Sequence, residues 1–472
     1  MSSSAATLPP TVNAFPAKTF FVNMLIRDID LKDAILDLLD NCLDGAMRLH
    51  STTSSASLDM PYANRWAEIT FNKSHFSIKD NCGGIPVGLA QESAFRMGRI
   101  DKEIDKDIQT VGVYGIGMKR AIFKLGRDAH IQSTTSSDKF TVKINKAWME
   151  DDQAWKIPIL IGQSDLQDPG THISVTELRN EVGRLFSNET DFETELKKAI
   201  SAYYGLIIEK GFTVRVNGET IQSTLTGLLV ENADFGSSAG IMPYIYHVEK
   251  DGIEVSVVIG FYRNLPDENE EEEVLAGRPS SDQAGVTIVC NDRVVVYADK
   301  TRITGWGEST VPQYHTQFVS IAGLVSFHAT NASLLPVTTT KRGLDGNSQL
   351  YLEVKEYIRE GLKFFTDFTN KWKRSPQERQ NLQSQAKAVM PTRIALSVPE
   401  DKQSRVNKGM GGWKFKPQLP LPREEDPLRQ IRFSRLQSDI TVVAQYLFDN
   451  PSVAAGEVGN KCFDDVLRKA SK

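Results

Sequence analysis

The chain has 472 residues, which at the usual domain size allows about three domains. Hydrophobic residues make up 40% and charged residues 24%, a balance that supports a sizeable core and excludes a wholly disordered chain. The net charge is −5, but residues 371–435 hold 15 basic against 6 acidic residues, a surplus of nine that leaves −14 on the rest. The near-neutral average therefore does not exclude a polyanion partner.

Residues 1–18 are rich in Ser, Ala and Pro and read as an arm that orders only where something docks it. The start, MSSSAATLPP, lacks the charged and apolar regions of a signal peptide, and no apolar run approaches the ~18–20 residues needed to span a bilayer. Four cysteines (Cys42, Cys82, Cys290, Cys462) contain no CxxC pair, so neither a zinc ribbon nor a disulfide framework is expected. A cytoplasmic location, with no membrane partner, is the expectation.

Helical spacing runs from Leu31 to about Leu49, where Ile35, Leu36, Leu39, Leu43 and Ala46 form an apolar stripe and Asp37, Asn41 and Asp44 lie on another face. Strand-like runs follow at Trp66–Phe71, Phe76–Lys79, Ala129–Thr134, Phe140–Ile144 and Thr171–Thr176, with a helix starting just after Gly117. This order predicts an α+β sandwich with helices covering one face of a mixed sheet. A second β-rich block spans about Phe212 to Ala329. It includes Val255–Tyr262, Gly285–Val289 and Val294–Tyr297, with six carboxylates in Asp267–Glu273 between the first two. A long helix is expected over Leu350–Trp372. The basic, Gln- and Pro-containing stretch that follows reads as a linker, and the tail from Asp439 is again helical.

Four short patterns carry chemistry. In Asp37-Leu38-Leu39-Asp40-Asn41 a carboxylate and an amide stand four apart, one turn above each other on a helix face. Asn41 can offer an oxygen to magnesium while Asp37 polarises a water beside it. Alone, such a stripe is usually a solvated face. The second is Ile78-Lys79-Asp80-Asn81-Cys82-Gly83-Gly84, which reads either as a turn or as an acceptor, Asp80, for an adenine amino group, with glycines that let backbone approach the nucleotide. The third, Val111-Gly112-Val113-Tyr114-Gly115-Ile116-Gly117-Met118-Lys119-Arg120, places three glycines before a basic helix start suited to anions. It is neither a P-loop nor a dinucleotide fingerprint, because Met118 separates Gly117 from Lys119 and Arg120 stands where a last glycine is required. The fourth, Gly170-Thr171, opens a strand and means little alone.

In order and spacing the four resemble the nucleotide-binding motifs of the GHKL ATPases, the superfamily of gyrase B, the ninety-kilodalton heat-shock chaperone, histidine kinases and MutL. The resemblance covers about residues 18–180, and VGVYGIGMKRAIFKLG is especially similar to the third motif of MORC-type members. It implies a Bergerat-type α/β sandwich that binds ATP and Mg2+. Asp37 would be the catalytic base, and Asn41 the magnesium ligand. Asp80, Gly84, Gly112, Gly115, Gly117, Lys119 and Thr171 would bind nucleotide. Two departures stand out: the family base is usually Glu, and Cys82 occupies the first glycine position of the second motif. The resemblance also implies an ATP lid over residues 93–111, with Arg96 and Arg99 as candidate phosphate contacts, and a transducer-like second domain whose Lys341, in PVTTTKRGLD, reaches the γ-phosphate.

The expected organisation is a GHKL ATPase domain at 1–185, a transducer-like α/β domain at 186–370, a basic linker at 371–435 and a small helical tail at 436–472. The resemblance implies an ATPase that closes and dimerises on ATP and acts on DNA or a DNA-associated complex; the candidate DNA contact is 373–435, where Arg405, Lys408, Lys414 and Lys416 interleave with Trp413 and Phe415. The tail is a candidate docking element for a protein partner. The alternative is a protein-remodelling ATPase of the heat-shock chaperone type. A histidine kinase fits poorly, since the first histidine, His50, follows Asn41, and no metal-ligand cluster in the C-terminal third favours a MutL-type endonuclease.

Overall fold

The computed structural model describes residues 17–52, 60–96, 116–187, 189–231, 237, 239–266, 282–338, 343–373, 382–383, 385–422 and 431–471. Gly112, Gly115, Arg99, Lys341 and the acidic run 267–273 lie outside the described residues. The chain divides into two units, Met1–Pro422 and Arg423–Lys472.

In the first unit, helices α1 (Lys18–Arg27) and α2 (Leu31–Thr52) lead into strands β1 (Trp66–Asn72) and β2 (His75–Asp80). A short helix, α3 (Val87–Leu89), runs into a π-helical turn at Ala90–Ala94. Helix α4 (Gly117–Leu125) precedes β3 (Gly126–Thr134), β4 (Lys139–Ile144), α5 (Lys146–Glu150), β5 (Ile159–Ile161) and β6 (Gly170–Leu178). Next come α6 (Asn180–Ser187), α7 (Glu189–Tyr203), α8 (Gly205–Glu209), β7 (Thr213–Val216) and β8 (Glu219–Thr220). The eight strands form one mixed sheet in the order β5-β4-β3-β6-β2-β1-β7-β8, with β7 parallel to β1. Its hydrophobic core draws on α2, α4, α7 and the alternate residues of the strands, and it reaches Ile221. The first body thus extends beyond the expected boundary at residue 185, because the edge of β1 is paired by β7, Trp66 opposite Thr213 and Ile69 opposite Val216.

The arm ends in a helix that the Ser/Pro composition did not announce. Lys18 on α1 is fully buried, and its ammonium donates to the carbonyls of Trp148 (2.7 Å), Asp151 and Ala154 while lying 4.0 Å from the Trp148 ring centre. Three carbonyls and an aromatic face replace the water that a buried amine loses. This pins α1 against α5 and against α4, the helix that opens at Gly117.

A second, seven-stranded sheet has the order β13-β12-β14-β11-β10-β17-β16. It is built from β10 (Tyr244–Lys250), β11 (Ile253–Phe261), β12 (Gly285–Cys290), β13 (Arg293–Asp299) and β14 (Ile321–Ala329), with β16 (Ser404–Arg405) and β17 (Trp413–Phe415) added at the β10 edge. Helix α9 (Gln349–Trp372) lies on it, burying Val354, Ile358, Leu362 and Phe365 at helical spacing. A small β-pair joins β9 (Leu228–Val230) to β15 (Lys387–Val389), and α10 (Pro391–Ser397) covers β11. The expected linker at 371–435 therefore contributes strands and a helix. In Lys414-Phe415-Lys416 the single apolar residue faces inward, Phe415 being 2% exposed and paired with Ile245. Sheet completion at an open edge outweighed the basic composition.

The second unit contains α11 (Gln437–Phe448) and α12 (Ala455–Ala470), which pack as a hairpin through a left-handed Asp449. Ala444 and Val458 are buried in it.

Candidate functional site

Helix α2 is buried from Ala34 to Met47 except at Asn41, whose amide alone in that stretch is open to solvent. One turn earlier, Asp37 is 5% exposed and binds Arg120 of α4, with Nη2 to Oδ2 at 2.6 Å. Gly117, the first residue of α4, faces the same carboxylate: a Cβ there would stand 3.5 Å from Asp37 Oδ2. Asp37 thus lies beside a helix N-terminus, whose unpaired amides and dipole favour an anion, with Asn41 one turn further along α2. Arg120 Nε is buried and has no hydrogen-bond partner among the described residues, so part of its guanidinium capacity remains to be met.

Strand β2 supplies the third element. The alternation that buries Phe76 and Ile78 continues to Asp80, which lies inward at 7% exposure. Its Oδ1 accepts from the backbone amides of Cys82 (2.7 Å) and Thr171 (3.3 Å). Burial pushes the Asp80 carboxyl up to about 6, against the pull of those two amides, the Cys42 thiol and Arg48. Thr171 therefore enters the site through its backbone, fixing Asp80. The glycine before it matters for space, since a Cβ on Gly170 would lie 2.1 Å from the Asp80 carbonyl. Gly84 has φ of +72°, and a Cβ there would lie 2.2 Å from the Thr134 carbonyl. No other residue satisfies both demands. The left-handed positions fall at Gly83 and Gly84 and not at Cys82, so the cysteine in the second motif needs no strained backbone; its side chain is buried at 3% exposure.

Lys119 is placed differently from a simple phosphate ligand. It is 2% exposed, donates from Nζ to the Ala94 carbonyl at 2.9 Å, and is lowered by burial to about 8. It thus ties α4 to the π-helical turn that opens the expected lid, while Arg96 at the end of that turn is exposed. The structure brings together Asp37, Asn41 and Gly117 on one side and Asp80, Gly84 and Thr171 on the other. Sequence reasoning missed the Arg120 partner of Asp37 and the burial of Asp40, which reads as one more charge on a helical stripe. Asp40 is 1% exposed and is held by Tyr204 and by Arg293 of the second sheet.

These features define an α/β sandwich with a carboxylate and an amide on one helix, a buried acceptor at a strand end and glycines where backbone segments approach closely. Residues 29–178 match the family described as Histidine kinase-, DNA gyrase B-, and HSP90-like ATPase, which supports the GHKL superfamily and an ATP-binding ATPase domain over this segment. No curated protein matches the chain. No helix among the described residues is long and apolar enough to cross a membrane.

The residues present fit Mg-ATP. The solvent-open Asn41 amide oxygen suits a hard cation, and no group of three or more His, Cys, Asp or Glu among the described residues is placed to hold a metal. A magnesium ion here would depend on Asn41, water and phosphate oxygens, the sparse protein ligation usual for that ion. When bound it supplies charge neutralisation of the phosphates.

Proposed function

We propose that the chain is a Mg-ATP-driven conformational switch of the MORC/MutL-like kind, closing and dimerising on ATP and acting on DNA or a DNA-associated complex. The observation that carries the ATP part is the placement of Asp37 against the α4 N-terminus, with the exposed Asn41 one turn along the same helix and Asp80 buried at the end of β2. Asp80 accepts the adenine amino group, Asn41 holds magnesium, and the glycines around Gly117 take the phosphates. Asp37 orients or deprotonates the attacking water, for which its pairing with Arg120 must loosen; an arriving phosphate is a competing partner for that guanidinium. Lys341 senses the γ-phosphate. The residues that flank it in sequence pair with each other: Thr338 donates to the Gly343 carbonyl and Val337 bridges Leu344.

The polyanion contact falls to the exposed residues of the basic segment. Lys414 is occupied by Glu360 and Lys416 lies over Phe364, which leaves Arg405, Lys408 and the 44%-exposed Trp413 as the surface for phosphate and base stacking. The exposed apolar residues of α11 and α12, Tyr446 and Val466 among them, support a protein-docking role for 436–472. The deciding experiment measures ATPase rate and oligomeric state with and without DNA over a salt series. Stimulation by DNA that weakens with salt supports the reading. No ATP hydrolysis removes the enzyme, and hydrolysis indifferent to DNA at low salt removes the DNA contact.

The Asp80 carboxyl gives this reading a pH dependence. An adenine amino donor needs the ionised acceptor, so ATP affinity is expected to be level above pH about 6 and to fall below it by up to about tenfold per unit. The stability term runs the other way: a raised carboxyl favours the fold fully below 3.8, and that contribution is lost as pH rises through about 6. Calorimetric titration of ATP between pH 5 and pH 8 checks the first; affinity independent of pH would remove Asp80 as the acceptor.

A further inference from the structure

The turn between β12 and β13 is built from three consecutive polar residues, Asn291, Asp292 and Arg293, and all are buried, at 1%, 5% and 2% exposure. Asn291 and Asp292 both have positive φ, 45° and 65°, the conformation of a two-residue hairpin turn that matches strand twist. The Asn291 side chain locks the turn to the end of β14 by exchanging two 3.0 Å hydrogen bonds with the Ala329 backbone. The other two residues reach into the first body. Asp292 accepts from Tyr62 (2.7 Å), which lies between α2 and β1, and from Lys210 (2.6 Å), which follows α8. Arg293 donates from Nε to Asp40 Oδ1 at 2.9 Å and from Nη1 to the Tyr203 carbonyl at 3.3 Å, with its guanidinium carbon 4.3 Å from the Tyr204 ring centre. Tyr204 in turn donates to Asp40 and to the Leu36 carbonyl, on the same turn of α2.

An interior pair of this kind is a poor way to gain stability, because desolvation consumes most of the Coulomb attraction and apolar residues would serve as well. What it does supply is a single geometry. Asp40 precedes Asn41 and follows Asp37 by three residues, so clamping its carboxylate from outside the helix fixes the rotation of α2 about its axis. That rotation decides which way Asn41 and Asp37 face.

We propose that Arg293 is a positioning residue for the nucleotide site: through Asp40 it sets the rotation of α2 that presents Asn41 to a magnesium-bound nucleotide. The inference rests on the Mg-ATP reading above. By linkage, Mg-ATP bound at α2 and the seating of the β12–β13 turn favour each other, so the second sheet feels whether the site is filled.

The test measures ATP affinity by calorimetry, with magnesium and with a chelator, for the full chain and for Arg293→Lys, Arg293→Gln, Asp40→Asn and Tyr204→Phe, each first checked by thermal melting. Tyr204→Phe removes one hydroxyl and keeps the ring, so it remains informative should a charge-removing variant fail to fold. The expected result is a loss of roughly 10- to 100-fold in magnesium-dependent affinity for Arg293→Gln and Asp40→Asn, a smaller loss for Tyr204→Phe, and partial recovery in Arg293→Lys, with chelator affinity unchanged. The double variant Asp40→Asn/Arg293→Gln is expected to be no worse than the worse single one. Equal losses with and without magnesium, or no loss in folded variants, overturn the positioning role while leaving the ATP reading intact. A wild-type chain that binds no adenine nucleotide overturns both.

Discussion

Asp37→Ala is expected to lower ATP turnover by about 10²–10⁴-fold while leaving ATP affinity within a few-fold, the range usual for loss of a positioned general base. The separation follows from geometry. The proposed function gives adenine and phosphate to Asp80 and the α4 N-terminus, whereas Asp37 pairs with Arg120 and lies beside the first residue of α4. Removing the carboxylate leaves Arg120 without its acid partner. Its side chain retains 19% exposure and can turn toward water or phosphate, so a modest stability loss is expected and no collapse of the site. Steady-state hydrolysis with a parallel binding titration decides the matter. Turnover equal to that of the wild type would eliminate Asp37 as the base. Asp37→Asn refines the result, since it keeps the volume and can still accept from Arg120 but cannot take a proton.

Asn41→Ala is expected to abolish the magnesium-dependent part of ATP binding, so that affinity in magnesium falls to the level seen with a chelator. Asn41 is the exposed position of an otherwise buried helix segment, so its removal is expected to change fold stability by no more than about 0.5 kcal/mol. That separates it from its neighbour. Asp40→Ala leaves a buried Arg293 without its charge partner, for which a loss of about 3–5 kcal/mol is expected. Adjacent residues of one helix thus differ in stability: Asn41→Ala loses the magnesium dependence with an intact fold, whereas Asp40→Ala destabilises the fold as well as weakening the site. Calorimetry with and without magnesium, alongside thermal melts, tells them apart. Retained magnesium dependence in Asn41→Ala would remove it as the ligand.

Much of the first body was legible from residue order. The apolar stripe from Ile35 to Ala46 marked α2 and set Asp37 and Asn41 on another face, although the helix is buried all round from Ala34 to Met47 except at Asn41. Alternation in β1 and β2 marked both strands and their inward faces, which carried Asp80 with them. Other features depended on partners far away in the chain. Asp40 reads as a solvated charge because nothing within helical reach pairs it; its partners are 164 and 253 residues distant. The strands in 387–415 were hidden by basic composition, since short edge strands need few apolar residues when a sheet edge awaits them.

The sequence by itself determined the order of four short patterns that resemble nucleotide-binding motifs, and the helix and strand that carry two of them. All of these are encoded by local periodicity and by residue type. Only the tertiary structure decided that Arg120 covers Asp37, that Lys119 turns to Ala94, and that part of the surplus of positive charge in 371–435 is spent on Glu360 and on completing a sheet. It likewise decided that the β12–β13 turn buries Asp292 and Arg293 against the first body. The reason is physical: periodicity reports which face of an element is buried, whereas the partner of a buried charge is chosen by whatever the fold brings within hydrogen-bond reach.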